Sequence, residues 1–155
     1  MSLVDVVKKY QNKLLNKGIL AEYGFFFDER VKKHCKFVID DCEALEELHR
    51  VVLKLIEKDQ NAEIYVNTFS PVFANENTYI YADTLWIIST LDTEALYSLF
   101  KGHQNIEPSD IISLSENETI DGDIELAVWS DDQVRDYRSF IKTRPLDMIK
   151  SLYWD

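Results

Sequence analysis

The sequence predicts an α+β fold in a single domain, a mainly antiparallel sheet centred on residues 78–89 with helices packed against it. Two segments and one bulk property lead to that class. Residues 78–89, Thr-Tyr-Ile-Tyr-Ala-Asp-Thr-Leu-Trp-Ile-Ile-Ser, are dense in β-branched and aromatic side chains and hold no Gly or Pro, which suits a pleated, buried strand. Residues 40–58 instead repeat apolar side chains at helical spacing behind an acidic start. A chain of 155 residues, 46% hydrophobic and 29% charged, can bury about two thirds of the surface that its unfolded form exposes, so a real core is expected and disorder is excluded as the main state.

Taken in order, Ser2 caps a first helix with Leu3, Val6, Val7, Tyr10 and Leu14 on one stripe and Gly18 placed to end it. Residues 19–39 carry the apolar run Phe25-Phe26-Phe27, a charged stretch, and Lys36-Phe37-Val38-Ile39 as a short strand. Asp40 and Glu43 form a capping box for a helix to about Lys58, its stripe being Leu45, Leu48, Val52, Leu55 and Ile56. A strand at 63–69 pairs antiparallel with the central one, and the connection through Pro71 and Asn75-Glu76-Asn77 is too long for a tight hairpin. Asp92 caps a two-turn helix closed by Gly102, and strands follow at 110–114 and 124–129. A two-residue turn at Asp121-Gly122 would set Glu118 against Glu125, so residues 115–123 form a solvated acidic loop instead. Ser130 to Gln133 reads as a second capping box, with Val134, Tyr137, Phe140 and Ile141 inward. After Pro145, the spacing of Leu146, Ile149, Leu152 and Tyr153 predicts a last short helix.

The net charge of −11 has a location. Residues 61–130 hold 12 acids against Lys101 alone, whereas the flanks balance at 11 and 11 before them and 5 and 5 after them. Such a surface repels phosphate backbones and attracts basic proteins or cations, so nucleic acid is not an expected partner unless the fold gathers lysines on one face. No apolar run approaches the roughly 20 residues of a membrane span, and residues 1–5 lack a signal peptide's pattern, so a cytoplasmic protein without a membrane partner is expected. Cys35 and Cys42 are then reduced, buried thiols.

No motif carries a reaction. His34, Cys35, Cys42 and His49 are zinc-ligand types, but the seven-residue step from Cys42 to His49 spans about 10 Å of helix, where residues sharing one ion sit three or four apart. His49, amid Leu45, Leu48 and Val52, is a half-buried core histidine, and His103 past Gly102 serves to neutralise a helix carboxyl end. The four glycines are isolated, which excludes the phosphate-cradling loops, and the acidic run does not follow the EF-hand order. No metal or cofactor is expected.

Two features remain. Tyr65, Asn67 and Phe69 on one strand and Tyr79, Tyr81 and Asp83 on the next share a face if their register allows, as an aromatic interaction patch. Glu116, Glu118, Asp121 and Asp123 supply acidic surround. The expected function is a non-catalytic acidic module binding a basic protein partner, of the inhibitor or immunity type. The alternative is an enzyme of unknown reaction with a carboxylate site around Asp83, metal-assisted or not. Oligomeric state has no signature in the sequence.

Overall fold

The computed structural model describes residues 1–114, 122–130 and 133–155. In chain order its elements are α1 (Leu3–Lys9), β1 (Gly18–Glu22), α2 (Tyr23–Phe26), β2 (Cys35–Phe37), α3 (Cys42–Lys58), β3 (Glu63–Thr68), β4 (Val72–Ala74), β5 (Asn77–Ile88), α4 (Thr93–Phe100), β6 (Asp110–Ser113), β7 (Ile124–Ser130), β8 (Gln133–Asp136), α5 (Tyr137–Lys142) and β9 (Ile149–Tyr153). The class is α+β with a mixed, mostly antiparallel sheet, and β5 is its longest strand. No helix among the described residues is long and apolar enough to cross a membrane.

The chain divides into two compact units, and β5 passes from one to the other between Ala82 and Asp83. The first unit holds residues 1–37, 65–82 and 120–143. Its strands run β5–β3–β1–β7–β8. Antiparallel β1 and β3 set Leu20 opposite Asn67, parallel β1 and β7 set Leu20 opposite Ala127, and β8 returns antiparallel on β7. The start of β1 is tight: the Ile19 N–H donates to Thr68 Oγ1 (3.0 Å) and the Thr68 hydroxyl donates to the Ile19 carbonyl (3.1 Å). Phe140 of α5 meets Tyr65 edge to face at 5.2 Å and lies 5.7 Å from Trp129, so α5 seals that part of the sheet. Burying side chains of this size contributes about 1.5–3 kcal/mol each.

The second unit holds residues 38–64, 83–119 and 144–155. Its strands β6–β9–β5 are antiparallel throughout, with Leu152 opposite both Leu85 and Ile111. Asp41 caps α3 by accepting from the Ala44 N–H (3.1 Å), and Asp92 caps α4 by accepting from the Ala95 N–H (2.8 Å). Gly102, at φ +88°, turns the chain after α4 and delivers His103, whose Nδ1–H donates to Glu47 Oε1 of α3 at 2.6 Å. Where α3, β5 and β9 end or begin, Asp59 accepts from the Ser89 hydroxyl (2.7 Å) and the Thr90 N–H (3.1 Å). Beside it the buried Lys150 ammonium donates to the Ser89 carbonyl at 2.7 Å.

Several local expectations are corrected. The first helix stops at Lys9, and Gly18 opens β1 instead of closing a helix, because its backbone lies against Thr68. Asp41, one residue later than expected, is the α3 cap. The 70–77 connection contains a strand of its own: β4 turns tightly into β5, Ala74 opposite Asn77, with Asn75 at φ +55° as such a turn needs. Gln133–Asp136 is a strand, and the following helix is capped by Asp136, whose carboxylate accepts from the Ser139 N–H at 3.1 Å. The expected terminal helix is the strand β9, since Ile149 and Leu152 face partners on β5 and β6. Cys42 is exposed rather than buried, and His103 pairs with a carboxylate rather than with a helix end.

Candidate functional site

The first unit presents an open stretch of sheet face assembled from four segments. The Phe69 N–H donates to the Tyr81 carbonyl (2.9 Å), which places these residues opposite one another just beyond β3. On the other edge of β5, parallel β2 sets Lys36 opposite Tyr81; β4, continuing from Phe69 along the first edge, sets Val72 opposite Tyr79. Two rows result: Lys36, Tyr81 and Phe69, and beside them His34, Tyr79 and Val72. Phe69 is 57% exposed, Val72 47% and Tyr81 44%. The rings are spaced, with Tyr79 and Tyr81 centroids 6.4 Å apart at 30° and His34 and Tyr79 6.3 Å apart. The Thr78 carbonyl can only accept, so the contact at 2.9 Å assigns a His34 proton to Nδ1.

The sequence-predicted residues are thus partly brought together. Phe69, Tyr79 and Tyr81 share the face, and Asn67 is half-buried on the same side of β3. Tyr65 is buried at 4% exposure under Phe140, so its ring is part of the core. Asp83 belongs to the second unit, half-buried, its Oδ1 accepting from the Thr84 hydroxyl at 2.8 Å. Asp123 is exposed in the first unit, where its carbonyl accepts from the Gly18 N–H at 2.6 Å. Glu116, Glu118 and Asp121 lie outside the described residues. Sequence reasoning missed His34, Lys36 and Val72; alternation along His34-Cys35-Lys36, read as extended chain, was the available signal.

The second unit has a different surface. Counted along the sequence, it carries 17 acids against 6 Lys/Arg, whereas the first unit carries 11 of each, so the whole −11 belongs to the second. Tyr153 of β9 lies opposite both Asp110 and Thr84, and its hydroxyl reaches Asp155 Oδ1 at 3.4 Å. The Tyr97 hydroxyl accepts from the Ile111 N–H (2.9 Å) and reaches Asp110 Oδ1 at 3.4 Å. Tyr97 is 43% and Tyr153 39% exposed. The Asp155 carboxylate above all, with some loss of hydration and the charge of Asp83, holds the Tyr153 phenol above its ordinary pKa. Asp155 is a sequence neighbour of Tyr153, but Asp110 and Asp83 reach these tyrosines from β6 and β5, which the sequence did not reveal.

The remaining candidates are scattered. Cys35 is buried, its thiol pushed up to about 12 by loss of hydration; loss of hydration likewise lowers the half-buried His49, against a smaller opposing pull from Glu46. Among the described residues no three His, Cys, Asp or Glu side chains converge as a metal site. A cavity of about 260 Å³ is lined by Tyr97, Ser98, Phe100, Lys101, Glu107 and Pro108, and Asp83 is not part of it. Comparison with protein-family models, with curated proteins and with solved structures finds no match to the chain.

Proposed function

We propose that the protein is a non-catalytic module that binds a basic protein partner through the second unit, in the manner of an inhibitor or immunity-type protein. One observation carries the reading: the entire charge excess belongs to that unit, where two exposed tyrosines stand among Asp83, Asp110 and Asp155. Carboxylates steer a basic partner and raise its on-rate, while tyrosine rings supply rigid contact area and a face for Arg or Lys side chains. Tyr97 and Tyr153 are better anchors for such a partner than Tyr79 and Tyr81, which stand beside Lys36 and His34.

The experiment is capture of the partner from the native host, followed by association kinetics at several ionic strengths. The on-rate should fall as salt shortens the Debye length toward about 8 Å, and Asp110→Asn with Asp155→Asn should slow association without unfolding the protein. Tyr153→Ala should act on the off-rate instead, raising it about tenfold or more. Partners that are consistently acidic or neutral, or an on-rate indifferent to salt and to these substitutions, would reduce the acidic surface to a solubility device.

A further inference from the structure

We propose that the outer flank of α3 is the contact between two copies of this chain, an antiparallel helix pair across a two-fold axis at Leu53. Two properties define the occupant: an apolar stripe that the fold leaves uncovered, and a rim of charge that is answered by an antiparallel copy of itself.

The stripe follows from the helix. α3 buries Ala44, Leu48, Val51, Val52 and Leu55 in the core of the second unit. Leu45, His49, Leu53 and Ile56 recur at steps of four, four and three residues, so they lie within about 80° of one another and about 110° round the helix from the buried set. Leu53 is 60% exposed, Ile56 is exposed, and Leu45 and His49 are half-buried. Loss of hydration lowers the His49 pKa, so its ring joins the stripe uncharged at neutral pH. A single exposed Leu calls for no explanation, but these residues together form a second seam along a 17-residue helix, of the narrow kind on which helices pair.

Charge then says what covers the seam. Arg50 and Glu57 stand three residues before Leu53 and four after it, on the side of the stripe that faces solvent. Both are exposed, and neither forms an ion pair with another described residue. They are about 10 Å apart along the helix, too far to answer each other. Two α3 helices running antiparallel with Leu53 against Leu53 set Arg50 of each beside Glu57 of the other, twice by symmetry. A parallel copy in register would set like charges together instead. The helix also interrupts the acidic surface of its unit: it holds three of the six Lys/Arg against four of the 17 acids, so two copies meet there with little local repulsion.

The test is sedimentation equilibrium of the intact protein from about 5 to about 500 µM. Salt of about 0.15 M shortens the Debye length to about 8 Å and so limits the repulsion between two chains of net charge −11. The expected result is a reversible monomer–dimer equilibrium in the micromolar range, because one helix pair covers less area than a permanent dimer requires. Leu53→Lys should weaken the dimer about tenfold or more. Its circular dichroism and Tm should match the wild type, since the side chain lies outside the core. Arg50→Glu and Glu57→Arg should each weaken the dimer about fivefold or more. An equimolar mixture of these two variants should dimerise as the wild type does, because one chain then carries both acids of the rim and the other both bases. A monomer at every concentration overturns the proposal and leaves the stripe to a different protein. A dimer indifferent to Leu53→Lys, or a mixture no tighter than its components, overturns it in favour of another surface. None of these outcomes bears on the basic-partner reading, which rests on other residues.

Discussion

Gly18 is the sharpest test of the packing described above. A β-carbon added there would lie 2.1 Å from the Thr68 carbonyl oxygen and 3.2 Å from the Thr68 carbonyl carbon, both backbone atoms, so no side chain can swing aside to admit it. An ordinary C···O contact requires roughly 1 Å more, and overpacking of this kind costs about 1–3 kcal/mol. The same displacement would stretch the reciprocal bonds between Ile19 and Thr68, at 3.0 and 3.1 Å, and each buried hydrogen bond contributes about 1 kcal/mol. Gly18→Ala should therefore destabilise the protein by about 3 kcal/mol, or roughly 6–12 °C in Tm for a chain of this length. Gly102→Ala is the control: its φ of +88° imposes about 1–2 kcal/mol of backbone strain, but a β-carbon there meets nothing within 4 Å. Urea unfolding followed by tryptophan fluorescence gives both values. If Gly18→Ala costs no more than Gly102→Ala, the close approach of β1 to Thr68 is wrong, and with it the placement of the neighbouring Phe69.

Three further outcomes are expected. Iodoacetamide should label Cys42 alone in the native protein and both cysteines in denaturant, counted by mass spectrometry, because burial pushes the Cys35 thiol up to about 12 and Cys42 is exposed. Hydrogen bonds from Ser89, then Thr90, lower the Asp59 pKa below its ordinary 3.8, so its contribution is complete above that value and lost as pH falls through the lower folded value; Asp59→Asn should flatten this acid limb of stability against pH. Burial lowers the Lys150 pKa below 10.5, outweighing Asp147, Asp92 and Asp59, so the native state gives up this proton before the unfolded chain does. Wild-type stability relative to Lys150→Met should therefore rise as pH climbs toward 10.5, and a difference that is flat or falling would contradict the burial of that ammonium.

The sequence by itself determined what local chemistry can enforce. The β-branched and aromatic run at 78–89 has no competing conformation and is β5; Ser2 and Asp92 cap the helices expected of them, and the Asp-rich start of α3 differs only in which aspartate caps. The register that brings Phe69 beside Tyr81 was legible as a possibility, because alternation along each strand limits which residues can share a face. Tertiary structure decided the rest, for a physical reason: pairing between distant strands leaves no mark in either strand. Leu146, Ile149 and Leu152 are spaced for a helix as well as for a strand, and only the presence of β5 and β6 on its two sides makes β9 extended. Gly18 stands where a helix stop would, yet Thr68, fifty residues away in the chain, decides its use. The same holds for the surfaces: the acidic excess was visible as a segment, but its assignment to one unit, the Asp110 carboxylate beside Tyr153 and the lysine beside Tyr81 exist only once strands from separate parts of the chain lie side by side.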